Sequence, residues 1–150
     1  MSDGGDRVTV LTKQARRLLL ALAPALGACQ SERDQHDAQG PRYEARAWLG
    51  TSGNLYPFAS NRFHSKAAGT AFIDSLYGLG ADTVYVLDVQ QDSTTIRLEG
   101  GPYADALLLR LPVDPAARGR LFAVQAREAR REGFDPDPDR GERYLYFWWD

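Results

Sequence analysis

An α+β fold built on a mostly antiparallel sheet is what this sequence predicts, and three observations carry that prediction. Stretches with two-residue apolar alternation are interleaved with stretches of helical period. Two of the helical stretches carry start and stop residues at both ends. All of them follow residue 42, in the order strand, helix, strand, strand, helix, strand.

Residues 43–49 (YEARAWL) alternate and read as a first strand. Residues 50–64, rich in Gly, Ser, Asn and Pro, read as a long loop. Ser65 is placed as a helix N-cap, since its hydroxyl can accept from an otherwise unpaired N–H of the first turn. Ala68, Ala71, Phe72, Ser75, Leu76 and Leu79 then form one helical stripe, and Gly80 supplies the stop. Residues 82–89 (DTVYVLDV) form a β-branched strand, and residues 94–99 a further short one after a turn at 90–93. Gly100, Gly101 and Pro102 interrupt that strand, and residues 106–111 (ALLLRL) resume as an apolar one.

The second helix is punctuated more clearly. Asp114 caps it, and Pro115 sits in the first turn, where a missing N–H costs nothing. Leu121, Phe122, Val124, Gln125 and Ala129 give an inward face, while Arg118, Arg127, Arg130 and Arg131 face water. Gly133 ends it, with Phe134 packing back on its last turn. A polar connector at 135–143 leads to the final strand, residues 144–149 (YLYFWW). This order matches the ferredoxin-like βαββαβ sandwich, with two helices on one face of a four- or five-stranded sheet.

The chain before this domain carries a different kind of signal. Lys13, Arg16 and Arg17 form a basic flank, residues 18–28 an apolar run of eleven, and Cys29, the only cysteine, follows at once. That is the layout of an export signal with a cleavage point. Leu26-Gly27-Ala28-Cys29 resembles the lipobox of bacterial lipoproteins, with Gly27 where Ala or Ser is commoner. The resemblance covers these four residues and the slope before them. It implies a signal peptide over residues 1–28, cleavage before Cys29, and acyl chains such as palmitate on Cys29. About two buried acyl chains suffice for stable anchoring. Spanning a bilayer takes about 20 apolar residues, so the run is too short for a transmembrane helix, and Pro24 would break a buried one. Asp3 and Asp6 make the first residues more acidic than an ordinary signal start, which points to a true initiation further in, at a valine such as Val8.

Three regions follow: a signal over 1–28, an acylated Cys29 with a disordered tether over 29–42, and one domain over 43–150. Gln30 rather than Asp after the cysteine favours the periplasmic side of the outer membrane, if the host is Gram-negative. The chain holds 18 basic and 20 acidic residues; residues 1–28 hold four and two of these, so the remainder has a net charge of −4. A mildly acidic domain lacks the basic footprint that nucleic-acid binding needs. With its one cysteine acylated, the mature chain has no disulfide, so its core must rest on apolar burial alone.

Candidate sites are few. On the last strand Leu145, Phe147 and Trp149 share one face and Tyr144, Tyr146 and Trp148 the other. In a ferredoxin-like sheet the first and last strands are neighbours. Arg46 and Trp48 are therefore expected on an open face with Tyr146 and Trp148, suited to stacking a sugar, a peptide or a partner's side chain. The competing expectation is that the 50–64 loop folds over those aromatics and buries them. Arg62, just before the first helix, pairs a cation with free N–H groups and makes a second candidate, for an anion. Asp135, Asp137 and Asp139 alternate as in a calcium loop, but Arg140 and Tyr146 replace its glycine and bidentate glutamate, so a solvated turn is expected. His36 and His64 are the only histidines and have no metal spacing, so neither a metal nor a cofactor is expected. His64 beside Ser65 is a poor nucleophile–base pair, because Ser65 already caps a helix.

The function expected is therefore a lipid-anchored, non-enzymatic protein of the cell envelope. It would bind an envelope protein or glycan through its aromatic face or its 50–64 loop. The alternatives are a small envelope hydrolase using carboxylates or His64, and a cytosolic small-ligand sensor if residues 1–28 are retained.

Overall fold

β-Branched and aromatic residues in the second and fourth strands and a leucine run in the third build the sheet in the computed structural model, which describes residues 41–149. Its strands are β1 (Tyr43–Glu44), β2 (Thr83–Leu87), β3 (Ala106–Arg110) and β4 (Tyr144–Trp148). They lie in the order β1-β2-β3-β4, each antiparallel to the next. The helices are α1 (Ala45–Thr51), α2 (Lys66–Gly78), α3 (Ser93–Glu99) and α4 (Pro115–Arg131).

The mixed α+β class and the four-stranded antiparallel sheet are as expected; the strand order and the helix count are not. In the ferredoxin-like order the first and last strands are neighbours, whereas here β1 and β4 occupy opposite edges. The reason lies in residues 45–49, which are helical. Glu44 caps α1, its carboxylate accepting from the N–H groups of Arg46 (3.2 Å) and Ala47 (2.8 Å). Ala, Arg and Leu favour helix once a cap is in place. Only two residues remain for β1, which pairs Tyr43 with Val86 and Glu44 with Tyr85.

The second correction falls at residues 94–99. Asp92 accepts from the N–H groups of Thr94 (2.9 Å) and Thr95 (3.1 Å), and Gly100 ends α3 in the left-handed conformation at φ 78°. Cap and stop outweigh the β preference of Thr94, Thr95 and Ile96.

The punctuation of the two longer helices is as expected. Ser65 Oγ accepts from Ala68 N–H (3.1 Å), and Asp114 accepts from Ala117 N–H (2.7 Å) with Pro115 in the first turn. The inward stripe of α2 is shifted: Gly69, Ile73 and Leu76 are buried, while Ala68, Ala71 and Ser75 are exposed. Phe58 sets that rotation, since it packs directly on the backbone at Gly69.

Helices α1, α2 and α4 cover one face of the sheet. Val84, Val86, Leu107, Leu109, Leu145 and Phe147 point into this main core, which also takes in Trp149, fully buried. Trp149 meets Phe63 (ring centroids 5.0 Å apart) and Phe72 (5.7 Å) edge-on. The opposite face carries a smaller cluster of Leu87, Ala106 and Leu108, bordered by Tyr85, Tyr144 and Tyr146. The 52–65 segment lies along the main core, where Phe58 pairs with Ala104 and Pro57 O accepts from Ala104 N–H (2.9 Å).

Candidate functional site

The expected alternation of the last strand is present, and it defines the one aromatic surface of interest. Leu145, Phe147 and Trp149 are buried against the helices; Tyr144 and Tyr146 are half-buried on the other face, and Trp148 is 37% exposed. The register pairs Trp148 with Ala106, which in turn pairs with Leu87, and Tyr146 with Leu108, which pairs with Tyr85.

Residues after α4 complete this surface. Gly133 adopts φ 82°, its N–H donates to Arg130 O (3.2 Å), and Phe134 N–H donates to Ala129 O (2.9 Å). These two bonds form a Schellman stop, which reverses the chain where only glycine fits without strain. The turn delivers Phe134 to Trp148, with ring centroids 5.7 Å apart and planes at 65°. Phe134 is 54% exposed. Next, Gln125 grips Asp137 twice: its Nε2 donates to Oδ2 (2.9 Å), and its Oε1 accepts from Asp137 N–H (3.2 Å). Asp139 is drawn away by Arg118, whose Nε donates to it at 2.9 Å. The carboxylates of 135, 137 and 139 therefore diverge, and no calcium-type loop forms. Asp135 stays exposed at the rim.

Phe134, Asp135, Asp137, Tyr146 and Trp148 border a hollow of about 170 Å³, floored by Gln125, Glu128, Ala129 and Phe147. Glu128 is 2% exposed, and its charge is answered locally. Arg62 donates from Nε to Oε2 (2.6 Å) and from a terminal nitrogen to Oε1 (3.1 Å), and Trp149 Nε1 donates at 3.3 Å. Burial alone would raise the Glu128 pKa; the hydrogen bonds from Arg62 and Trp149, with the Arg62 charge, hold it below the ordinary glutamate value.

Comparison with family models, characterised proteins and solved structures returns no match. The site is therefore read from its own geometry.

The structure brings together Tyr146 and Trp148 but separates them from Arg46 and Trp48. Trp48 lies on α1 and is buried in the main core against Phe58 (5.5 Å), so it is not on an open sheet face. Arg46 is exposed on α1, bonded to Asp74 (2.8 Å) and resting over the Tyr77 ring (4.1 Å). Arg62 is engaged by Glu128 and lies over Phe63 (4.6 Å), which removes it as a free anion ligand. The 50–64 loop covers the main core rather than Tyr146 and Trp148. Cys29 lies outside the described residues. Ser65 serves as the cap, and His64 is exposed beside it. Among the described residues no group of three or more His, Cys, Asp or Glu is placed to hold a metal ion, and no helix is long and apolar enough to cross a membrane.

Sequence reasoning missed Phe134, Asp135 and Gln125 as site residues. The available signal was Gly133 followed by an aromatic, which marks a helix stop that carries a side chain back toward the fold.

Proposed function

We propose that this chain is a lipid-anchored cell-envelope protein of non-enzymatic type, whose domain binds a partner at the Phe134–Trp148 surface. The anchoring half rests on Leu26-Gly27-Ala28-Cys29 behind its basic flank and apolar run. The binding half rests on one observation: two large aromatic rings in mutual contact are left exposed beside a hollow, in a domain whose other Phe, Tyr and Trp rings, Tyr56 apart, are buried or half-buried. Exposed aromatic pairs at a concavity are where recognition is commonly placed. A hydrolase reading has less support, since Ser65 is committed to its helix and Glu128 to Arg62.

Metabolic labelling with a palmitate analogue tests the anchor. Wild type takes up label and Cys29→Ala does not; label persisting in the variant, or absent from both, removes the envelope reading. Capture of envelope partners by wild type and by Trp148→Ala tests the surface, with capture expected to fall in the variant.

A further inference from the structure

The geometry points to a compact alkylated ammonium ion, of choline-like shape, as the ligand of the hollow between Phe134, Trp148 and Tyr146. This deepens the reading of that surface as a binding site and rests on it.

Shape is the first argument. Phe134 and Trp148 meet edge to face at 65°, so the two rings stand at an angle beside the hollow rather than forming one flat platform. Tyr146, two residues before Trp148 on the same sheet face, borders the same hollow. A planar guanidinium stacks best on a single face, whereas a rounded ammonium makes contact with several walls at once. The hollow, at about 170 Å³, is below the roughly 300–1,000 Å³ of pockets that hold drug-sized molecules. It suits a small head group.

Charge is the second argument. Aromatic faces carry negative electrostatic potential, and Trp is the strongest of the three in holding a cation. Asp135 and Asp137 stand at the rim and add negative charge. Glu128 lies at the base with its charge already met by Arg62, and with Arg127 Nε 3.9 Å from its Oε1, so the negative charge offered to an incoming ion is that of Asp135 and Asp137. The same carboxylates would repel an anionic group attached close to the cation. A free cation such as choline is therefore expected to bind better than phosphocholine, which separates a soluble ligand from a lipid head group.

Rigidity is the third. The Schellman stop fixes Phe134, the Gln125–Asp137 pair fixes the connector, and the β3 register fixes Trp148. Little ordering remains to be done on binding.

The test is a titration of the full chain with choline chloride, followed by the indole N–H resonance of Trp148 in NMR spectra. Three arms run beside it: 3,3-dimethylbutanol, the neutral isostere; phosphocholine; and arginine amide. Choline is expected to shift the resonance with millimolar affinity, phosphocholine and arginine amide more weakly, and the neutral isostere not at all. Phe134→Ala should weaken choline binding about five- to tenfold, a loss of the size removed aromatic walls produce. Asp135→Asn should weaken it about two- to fivefold. Phe134 and Asp135 are exposed, so both variants fold. No response to choline at tens of millimolar, an equal response to the neutral isostere, or unchanged binding in both variants would overturn the proposal. If choline fails while Trp148→Ala still abolishes partner capture, the binding surface stands and the cation falls.

Discussion

Arg62 Nε lies 2.6 Å from Glu128 Oε2, joining the segment before α2 to the inward face of α4 across 66 positions of sequence. The carboxylate is almost fully buried, and Trp149 Nε1 supplies a third donor. One pair thus ties the segment before α2 and helix α4 to the residue after β4, beneath the hollow.

Removing one member should expose how much the pair matters. Arg62→Ala leaves Glu128 buried with Trp149 as its nearest donor, and a loss of about 3 kcal/mol is expected, as for other broken buried pairs. Glu128→Gln keeps an acceptor and should cost less. Urea denaturation of the three proteins checks this order.

The same carboxylate sets an acid limb. Its folded pKa is lowered by Arg62 and Trp149 against the opposing effect of burial. A depressed acid stabilises the fold at pH values above its unfolded pKa, and that contribution is lost as pH falls through the folded one. Wild type should therefore lose its advantage over Glu128→Gln as the pH drops below the ordinary glutamate range. Parallel denaturation curves at neutral and acid pH measure it; a constant gap would contradict the assignment.

Two glycines in helices should respond with opposite signs. At Gly69 an added Cβ would sit 2.6 Å from Phe58 Cδ2, in a ring held between Trp48 and Phe63. Gly69→Ala is expected to destabilise by about 1–3 kcal/mol through overpacking. At Gly119, in α4, nothing lies within 4 Å of the added atom. Gly119→Ala should stabilise by about 0.5–1 kcal/mol from helix propensity. Thermal melts of both decide it.

Asn54 is buried and staples two loops. Its Nδ2 donates to Pro102 O (3.0 Å) and Gly101 O (3.4 Å), and its Oδ1 accepts from Tyr56 N–H (2.8 Å). Asn54→Ala orphans these groups and should cost about 2 kcal/mol. Asn54→Asp should cost at least as much, because it turns a carboxylate oxygen toward two carbonyls. Chemical denaturation gives both values.

Much of the fold was legible because its signals are local. Ser65, Asp114 and Pro115 announce helix starts through their own side chains and φ, and the period of two in residues 144–149 assigns every ring to a face. Residues 43–49 misled because Glu44 and Arg46 alternate with Tyr43, Ala45 and Ala47 just as in a strand. The decision belonged to the Glu44 carboxylate, which reaches two N–H groups and also accepts from Tyr77 on α2. Asp92 and Gly100 were a readable cap and stop, overshadowed by three β-branched residues. Of the site, Tyr146 and Trp148 were visible; Phe134 and Asp135 were not, because their place depends on where the chain turns after Gly133.

By itself, the sequence determined the α+β class, the ends of its two long helices, the two faces of the last strand, and the basic, apolar and cysteine order of its first 29 residues. Each depends on neighbours a few positions apart. Only the tertiary structure decided the strand order, the burial of Trp48, the capture of Arg62 by Glu128, and the meeting of Phe134 with Trp148. Those depend on which distant surfaces exclude water together, and periodicity within one segment carries no information about the segment it will face.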